Sequence, residues 1–501
     1  WSANNNYLCT KPLHSSITIY YIIKLLLNSQ VLIYNYLHLL KLIIFRLMKK
    51  IWLFLFFLPT IGIAQNEDSV IIKKISDDIL KNGKAYDLLR QLTKTIGGRL
   101  AGSPQMVQAE KWGLQTMQSL GADASYLQEC MVPHWVRGKG DAIAINKLNN
   151  KTSSKTLAAA ALGNSMGSQK TVIADVLAVA DFDELEKRKS EVIGKIVYYN
   201  SGFNVTNIHP FKSYGESGVY RRNGANRAAK YGAVGVMIRS LSESTDNFPH
   251  TGAMAYNDSF PKIPAVALGI QDADIFWQLS KQNTISVSLL THGKILPDTI
   301  GHNVIGEIKG SEFPNEYITI GGHLDSWDLA EGAHDDGTGV VQTLEVLRTL
   351  KALNYQPKHS IRFVLFANEE NGTRGAEKYA AEAKAKNEKH IFALESDAGG
   401  FTPRGFGFTM NAAQLNKVQA WLPLLKPFGI EQLSMGGGGS DIGPLNQQFG
   451  TALGGLMPDG QRYFDIHHAA NDVFENVNKR ELLLGAVNMT ALIYLIDKYG
   501  L

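Results

Sequence analysis

The chain has 501 residues, 45% of them hydrophobic and 19% charged, with a formal net charge of +4. That balance excludes a disordered chain, and the length exceeds one small domain, so two domains with sizeable cores are expected. The positive charge sits in the first 64 residues, which carry six Lys or Arg and no acid; without them 44 basic side chains face 46 acidic ones, a net −2 that argues against a nucleic-acid partner.

Residues 1–47 begin with Trp1, and their apolar stretch from Leu25 to Leu47 is interrupted by Asn28, Gln30, Asn35, His38 and Lys41. Each interruption is costly in hydrocarbon, so residues 1–47 are expected to be spurious upstream sequence rather than a membrane span. Met48-Lys49-Lys50 followed by the apolar run Ile51 to Ala64 has the layout of a secretory signal, residues 48–64, with cleavage after Ala64. Export to the periplasm or beyond the cell is therefore expected, with no stable membrane insertion once the signal is removed. Only Cys9 and Cys130 occur, and with Cys9 gone no internal disulfide can form.

Residues 75–120 carry helical periodicity, broken by the glycine-rich turn around Gly97, Gly98 and Gly102. From 137 to 295 short strands and turns predominate, such as Ile196-Val197-Tyr198-Tyr199 and Ala265-Val266-Ala267-Leu268, with one small-residue helix, predicting a smaller β-rich inserted domain. After Pro297 buried strands alternate with amphipathic helices, predicting an α/β fold: a mostly parallel, mixed sheet with helices on both faces. The larger domain is thus expected to be built from 65–136 and 296–501, around the insert 137–295.

Ligands in such sheets bind beyond the carboxyl ends of the strands. There the sequence places His323 and Asp325 after one strand, Glu369-Glu370 after a second and Glu395-Ser396-Asp397 after a third, with His467-His468 in a late loop. One acid after a strand is commonly a helix cap; three such strand ends and a paired-His loop point to a metal held by nitrogen and carboxylate oxygen. Asp335 and Asp336, just before a helix, fit N-caps and ligands equally well.

His323-Leu324-Asp325, Gly332 to Gly339 (with His334-Asp335-Asp336), Asn368-Glu369-Glu370-Asn371-Gly372, Glu395-Ser396-Asp397 and His468-Ala469-Ala470-Asn471-Asp472 together resemble the M28 family of dinuclear zinc exopeptidases. The wording His323 to Asp328, the doubled His467-His468 and Val132-Pro133-His134-Trp135 are most similar to its carboxypeptidase Q branch. The resemblance implies two Zn²⁺ per chain, bridged by Asp335, one also held by His323 and Asp397, the other by Glu370 and His468. It implies Glu369 as general base, a cis peptide from Asp335 to Asp336, and Asp325 as acceptor of the second N–H of His323. It further implies short peptide substrates, a homodimer, and a protease-associated type of insert.

Where relatives carry Tyr before the last ligand this sequence has His467, which is assigned the oxyanion role, with Tyr463 as rival. Asp472 is placed beside His468 as its orienter. The run Gly436 to Gly439 lacks the Lys and spacing of a phosphate loop and is read as a wall of the cleft, with Ser440 and Asp441 as substrate contacts. His209, His250 and Arg221-Arg222 are expected to face solvent, although a lid over the substrate cleft could use one of them. Two other readings stay open: a glutaminyl cyclase-like enzyme with a single zinc, and a non-catalytic receptor-type ectodomain. Whether the amino or the carboxyl end is trimmed does not follow from the residues.

Overall fold

The computed structural model describes residues 40, 41 and 67–501. The signal segment at 48–64, and all but two residues of the leader at 1–47, lie outside the described residues. The unit Ile72–Leu501 contains everything that follows.

Among the described residues, sixteen strands fall into two sheets. β1 (Ala124–Val136) is followed by β2 (Ala142–Leu148), β3 (Lys151–Leu157), β4 (Ala159–Ala161), β5 (Val172–Val179), β6 (Ile196–Tyr199), β7 (Gly235–Arg239), β8 (Ala265–Leu268) and β9 (Ile285–Leu290). Then come β10 (Lys294–Ile308), β11 (Phe313–His323), β12 (His359–Phe366), β13 (Lys389–Glu395), β14 (Pro403–Thr409), β15 (Gln432–Met435) and β16 (Ala452–Pro458).

The first sheet has the order β1-β10-β12-β11-β13-β16-β14-β15. Its centre, β12-β11-β13-β16, is parallel, while β1, β10 and β14 join antiparallel. All eight residues of β12 and the last six of β11 are buried, as befits strands covered on both faces. Val364 and Phe366 pack on helices Arg374–Ala385 and Gly443–Phe449, while Leu365, pointing the other way, meets Gly113 of helix Pro104–Ser119.

Helix Lys479–Tyr499 is long and apolar enough to cross a membrane, yet 83% of its apolar window is buried, and it packs beside helix Thr338–Ala352. Its apolar character is accounted for by this packing. Its start is fixed by the Asn478 side chain, which accepts from the backbone N–H of Arg480 and Glu481.

The second sheet, β3-β2-β9-β5-β6-β7-β8-β4, draws every strand from residues 142–290. β6, β7 and β8 are buried at every position, so both faces need cover. Helix Pro210–Ala229 packs against Val197, Tyr199 and Val236, and helix Ile270–Ser280 covers Tyr198 and Met237. The region therefore carries helical layers beyond the strands and the one helix read in its sequence. β1 ends and β10 begins on a paired register, Val136 opposite Lys294, so the two sheets are joined by one two-stranded ribbon.

Candidate metal centre and active site

β11, β12 and β13 are mutually parallel through β11, so their carboxyl ends lie on one edge of the first sheet. His323 is the last residue of β11, Glu369-Glu370 follow β12, and Asp397 lies two residues beyond β13.

Nε2 of His323 lies 3.3 Å from Oδ1 of Asp335 and 3.4 Å from Oδ1 of Asp397. Nε2 of His468 lies 3.2 Å from Oδ2 of Asp335 and 3.1 Å from Oε2 of Glu370. The two oxygens of Asp335 thus face two different donor sets. Neither His323 Nε2 nor Asp335 Oδ2 has a hydrogen-bond partner among the described residues, although both are buried. Bonds of roughly 2.0–2.2 Å in a tetrahedral arrangement put donor atoms about 3.3–3.6 Å apart, close to the spacing seen here. The donor atoms of His323, Asp335 and Asp397 lie close enough together to hold a divalent cation, as do those of Asp335, His467 and His468, with Glu370 beside His468.

Charge balance leads the same way. Burial and the neighbouring Asp335 carboxylate push Glu370 up to about 8, and burial with Asp397 beside it pushes Glu369 up to about 7. Buried carboxylates this close together repel one another when ionised, and a cation among them would offset that repulsion.

The turn carrying Asp335 is shaped by its neighbours. Asp336 accepts from the backbone N–H of His323 at 3.1 Å and of Gly339 at 2.9 Å, tying helix Thr338–Ala352 to the end of β11. A Cβ on Gly339 would lie 1.9 Å from the Ser396 carbonyl oxygen, which accounts for that glycine. The Asp335–Asp336 peptide is cis, as the resemblance implied.

Two expected partnerships differ. Nδ1 of His323 meets the backbone oxygen of Asp325 at 2.9 Å, with the carboxylate further off at 3.6 Å. The Asp325 carboxylate instead accepts from the backbone N–H of Glu369 at 3.0 Å and of Glu370 at 3.3 Å, because the loop after β12 passes directly over it. Asp472 likewise accepts from the backbone N–H of His334 (2.7 Å) and Asp335 (3.2 Å), so it positions Asp335 rather than His468.

A cavity of about 500 Å³ opens onto Asp335, Glu369, Glu370, Asp397, His467 and His468, and Ser440 and Tyr463 also line it. Asp441 is fully buried and does not line it; its backbone N–H donates to Glu395. The His467 ring stacks on His468 with centroids 3.6 Å apart, and its Nε2 is 3.6 Å from Asp335 Oδ2. A second cavity of about 470 Å³ shares Asp397 and Ser440 with the first and is walled by Gly436 to Gly439.

The second sheet's region supplies the opposite wall: Asn164, Tyr214, Arg221 and Arg222 line the first cavity. Arg221 and His250 are buried, contrary to the surface reading of both, whereas Arg222 is exposed and His209 lines the second cavity. The Arg221 guanidinium donates to the Tyr214 hydroxyl at 2.7 Å, but among the described residues it has no carboxylate partner and its Nε has no hydrogen bond.

Arg99 was not singled out in the sequence. Fully buried, it donates to the carbonyls of Leu324, Glu331 and Gly332, holding the loop that joins His323 to Asp335. A lone Arg in a glycine-rich turn carries no sign of such partners.

The Peptidase family M28 model matches residues 303–493. Carboxypeptidase Q of Mus musculus and of Homo sapiens are each 34% identical over 415 residues, 82% of this chain and 85% of theirs. The solved M28 peptidase precursor of Shewanella amazonensis has a TM-score of 0.81 at 30% identity, covering 86% of this chain and 97% of its own. BSAP, a zinc aminopeptidase from Bacillus subtilis, shares the fold at a TM-score of 0.60 and 21% identity, over 82% and 94% of the two chains. With its strand-end ligand set and these likenesses over most of its length, the chain belongs to peptidase family M28.

Proposed function

We propose that the chain is an exported exopeptidase with two Zn²⁺, cleaving terminal peptide bonds of short peptides or dipeptides. The observation that carries this reading is the division of Asp335, one oxygen toward His323 and Asp397, the other toward Glu370 and His468. A single-zinc cyclase has no use for the second donor set, and a binding ectodomain has none for Glu369 in the cavity.

Two zinc ions bound there would polarise the scissile carbonyl and lower the pKa of the attacking water. Glu369, lining the cavity beside ligand Glu370, takes the water's proton on its carboxylate and hands it to the leaving amine. Asp325 fixes both glutamates by their backbone. His467 is assigned to the developing oxyanion, with Tyr463, its ring 5.1 Å away, as rival. His467→Phe is expected to lower kcat about 10²-fold with KM little changed; if Tyr463→Phe has that effect and His467→Phe has none, the assignment passes to Tyr463.

Arg221 supports a preference for substrates with a free carboxylate, since a buried guanidinium without a carboxylate partner favours an incoming anion. Dipeptides and short peptides with a free C-terminus are expected to exceed their C-terminal amides about 10- to 100-fold in kcat/KM. Equal rates on both would contradict that preference. The same reading includes export by the signal at 48–64, with a mature protein beginning at Gln65, a protease-associated type of insert at 137–295, and a homodimer.

A further inference from the structure

Like Glu370 and Asp397, His468 lies in no helix or strand, and it falls between the 3-10 segments Tyr463–Asp465 and Phe474–Asn476. Alone of the five ligand residues its backbone is left-handed, φ +62°. That conformation is uncommon for a residue with a Cβ and has to be imposed by contacts.

The contacts come from the second sheet's region, 217 residues away in sequence. The backbone N–H of Thr251 donates to the His468 carbonyl at 2.9 Å, and the Thr251 carbonyl lies 3.2 Å from Nδ1 of the His468 ring. One residue thus grips both the backbone and the ring. Nδ1 also has an Arg221 guanidinium nitrogen 3.4 Å away, but the Thr251 carbonyl is nearer, and a ring N–H donated to that carbonyl leaves the lone pair on Nε2, which faces Asp335 and Glu370. Nδ1 of His250 lies 2.7 Å from the His467 carbonyl, fixing the preceding peptide.

Gly252 completes the seat. Its φ is +135°, and a Cβ there would lie 2.7 Å from His468 Nδ1 and 2.5 Å from the Arg221 Cζ. The segment is itself anchored: the Thr251 hydroxyl donates to the Ala161 carbonyl at 2.9 Å, and Gly163 N–H donates to the Gly252 carbonyl at 3.0 Å. Arg137 bonds Thr251 at 3.3 Å and pairs with Asp328, of the loop joining His323 to Asp335, at 2.8 Å.

We infer that His250, Thr251 and Gly252 are positioning residues for the second metal ion, the segment outside the first sheet that gives His468 its ligating orientation. The inference rests on the two-metal reading above. It makes the insert part of the catalytic apparatus even where it touches no substrate. Residues that orient a ligand typically change metal affinity about 10–100-fold when replaced.

The test is a zinc titration of the metal-free full chain against a chromogenic chelator, with the two binding steps assigned by His323→Ala and His468→Ala. His250→Leu and Gly252→Ala are expected to weaken the step lost in His468→Ala by about 10–100-fold and to leave the other unchanged. His250→Asn, whose amide N–H can reach the same carbonyl, is expected to restore most of the loss. Thermal unfolding of the metal-free proteins shows which variants fold; if Gly252→Ala does not, the two His250 variants decide. Both steps weakened alike, or neither weakened, overturns the inference. A wild-type chain that takes up one ion only overturns the two-metal reading instead.

Discussion

Replacing Glu369 with Gln is expected to lower kcat by about 10²–10⁴-fold while the bound zinc stays unchanged. The substitution keeps the size of the side chain and removes only its ability to accept a proton. Glu369 is not one of the atoms converging on Asp335: its neighbour Glu370 supplies the oxygen 3.1 Å from His468. Both residues hang from Asp325 by backbone hydrogen bonds, which the substitution leaves in place. Activity and metal content should therefore separate. A Glu369→Gln protein with full peptidase activity would remove the general base from the mechanism, and one that lost its zinc would make Glu369 a ligand.

Asp335→Ala is expected to have the larger effect on binding: both ions are weakened at once, by more than the 10–100-fold typical of residues that only orient a ligand, and activity is lost with them. The reason is geometric. Each oxygen of Asp335 belongs to a different set, so deleting one carboxylate strips a donor from both. His323→Ala, by contrast, removes a donor from one set only. Elemental analysis after dialysis distinguishes them: Asp335→Ala should retain no zinc and His323→Ala about one ion per chain. An Asp335→Ala protein that kept one ion at wild-type affinity would show that the carboxylate serves a single site.

Much of this centre is legible in the sequence for a physical reason. β11, β12 and β13 are apolar runs buried on both faces, so a His or acid at the end of each stands out where the run stops, and parallel strands deliver all three ends to one edge. Asp335 is not separable from a helix cap by its local sequence, and its assignment as a bridging ligand rests on the family resemblance. Asp336 accepts from the backbone N–H of Gly339 in the first turn of the helix.

The supporting contacts were not legible, because they depend on where loops pass. Asp325 sits two residues from His323, but its carboxylate bonds residues 44 and 45 positions away. Arg99 reaches carbonyls 225 to 233 residues distant, and nothing in its neighbours' identity says it is buried. Arg221 and His250 read as surface residues since charge and polarity usually mean exposure. They are buried because the second sheet's region lies over the edge that carries Asp335, Glu370, Asp397 and His468, a long-range arrangement with no local periodicity to betray it.

Anomalous diffraction at the zinc edge from crystals of the zinc-loaded chain decides whether Asp335 joins two metal sites. Two peaks are expected, one among His323, Asp335 and Asp397 and one among Asp335, Glu370 and His468, on either side of the one carboxylate. A single peak at full zinc loading, or two peaks of which one does not touch Asp335, would contradict it.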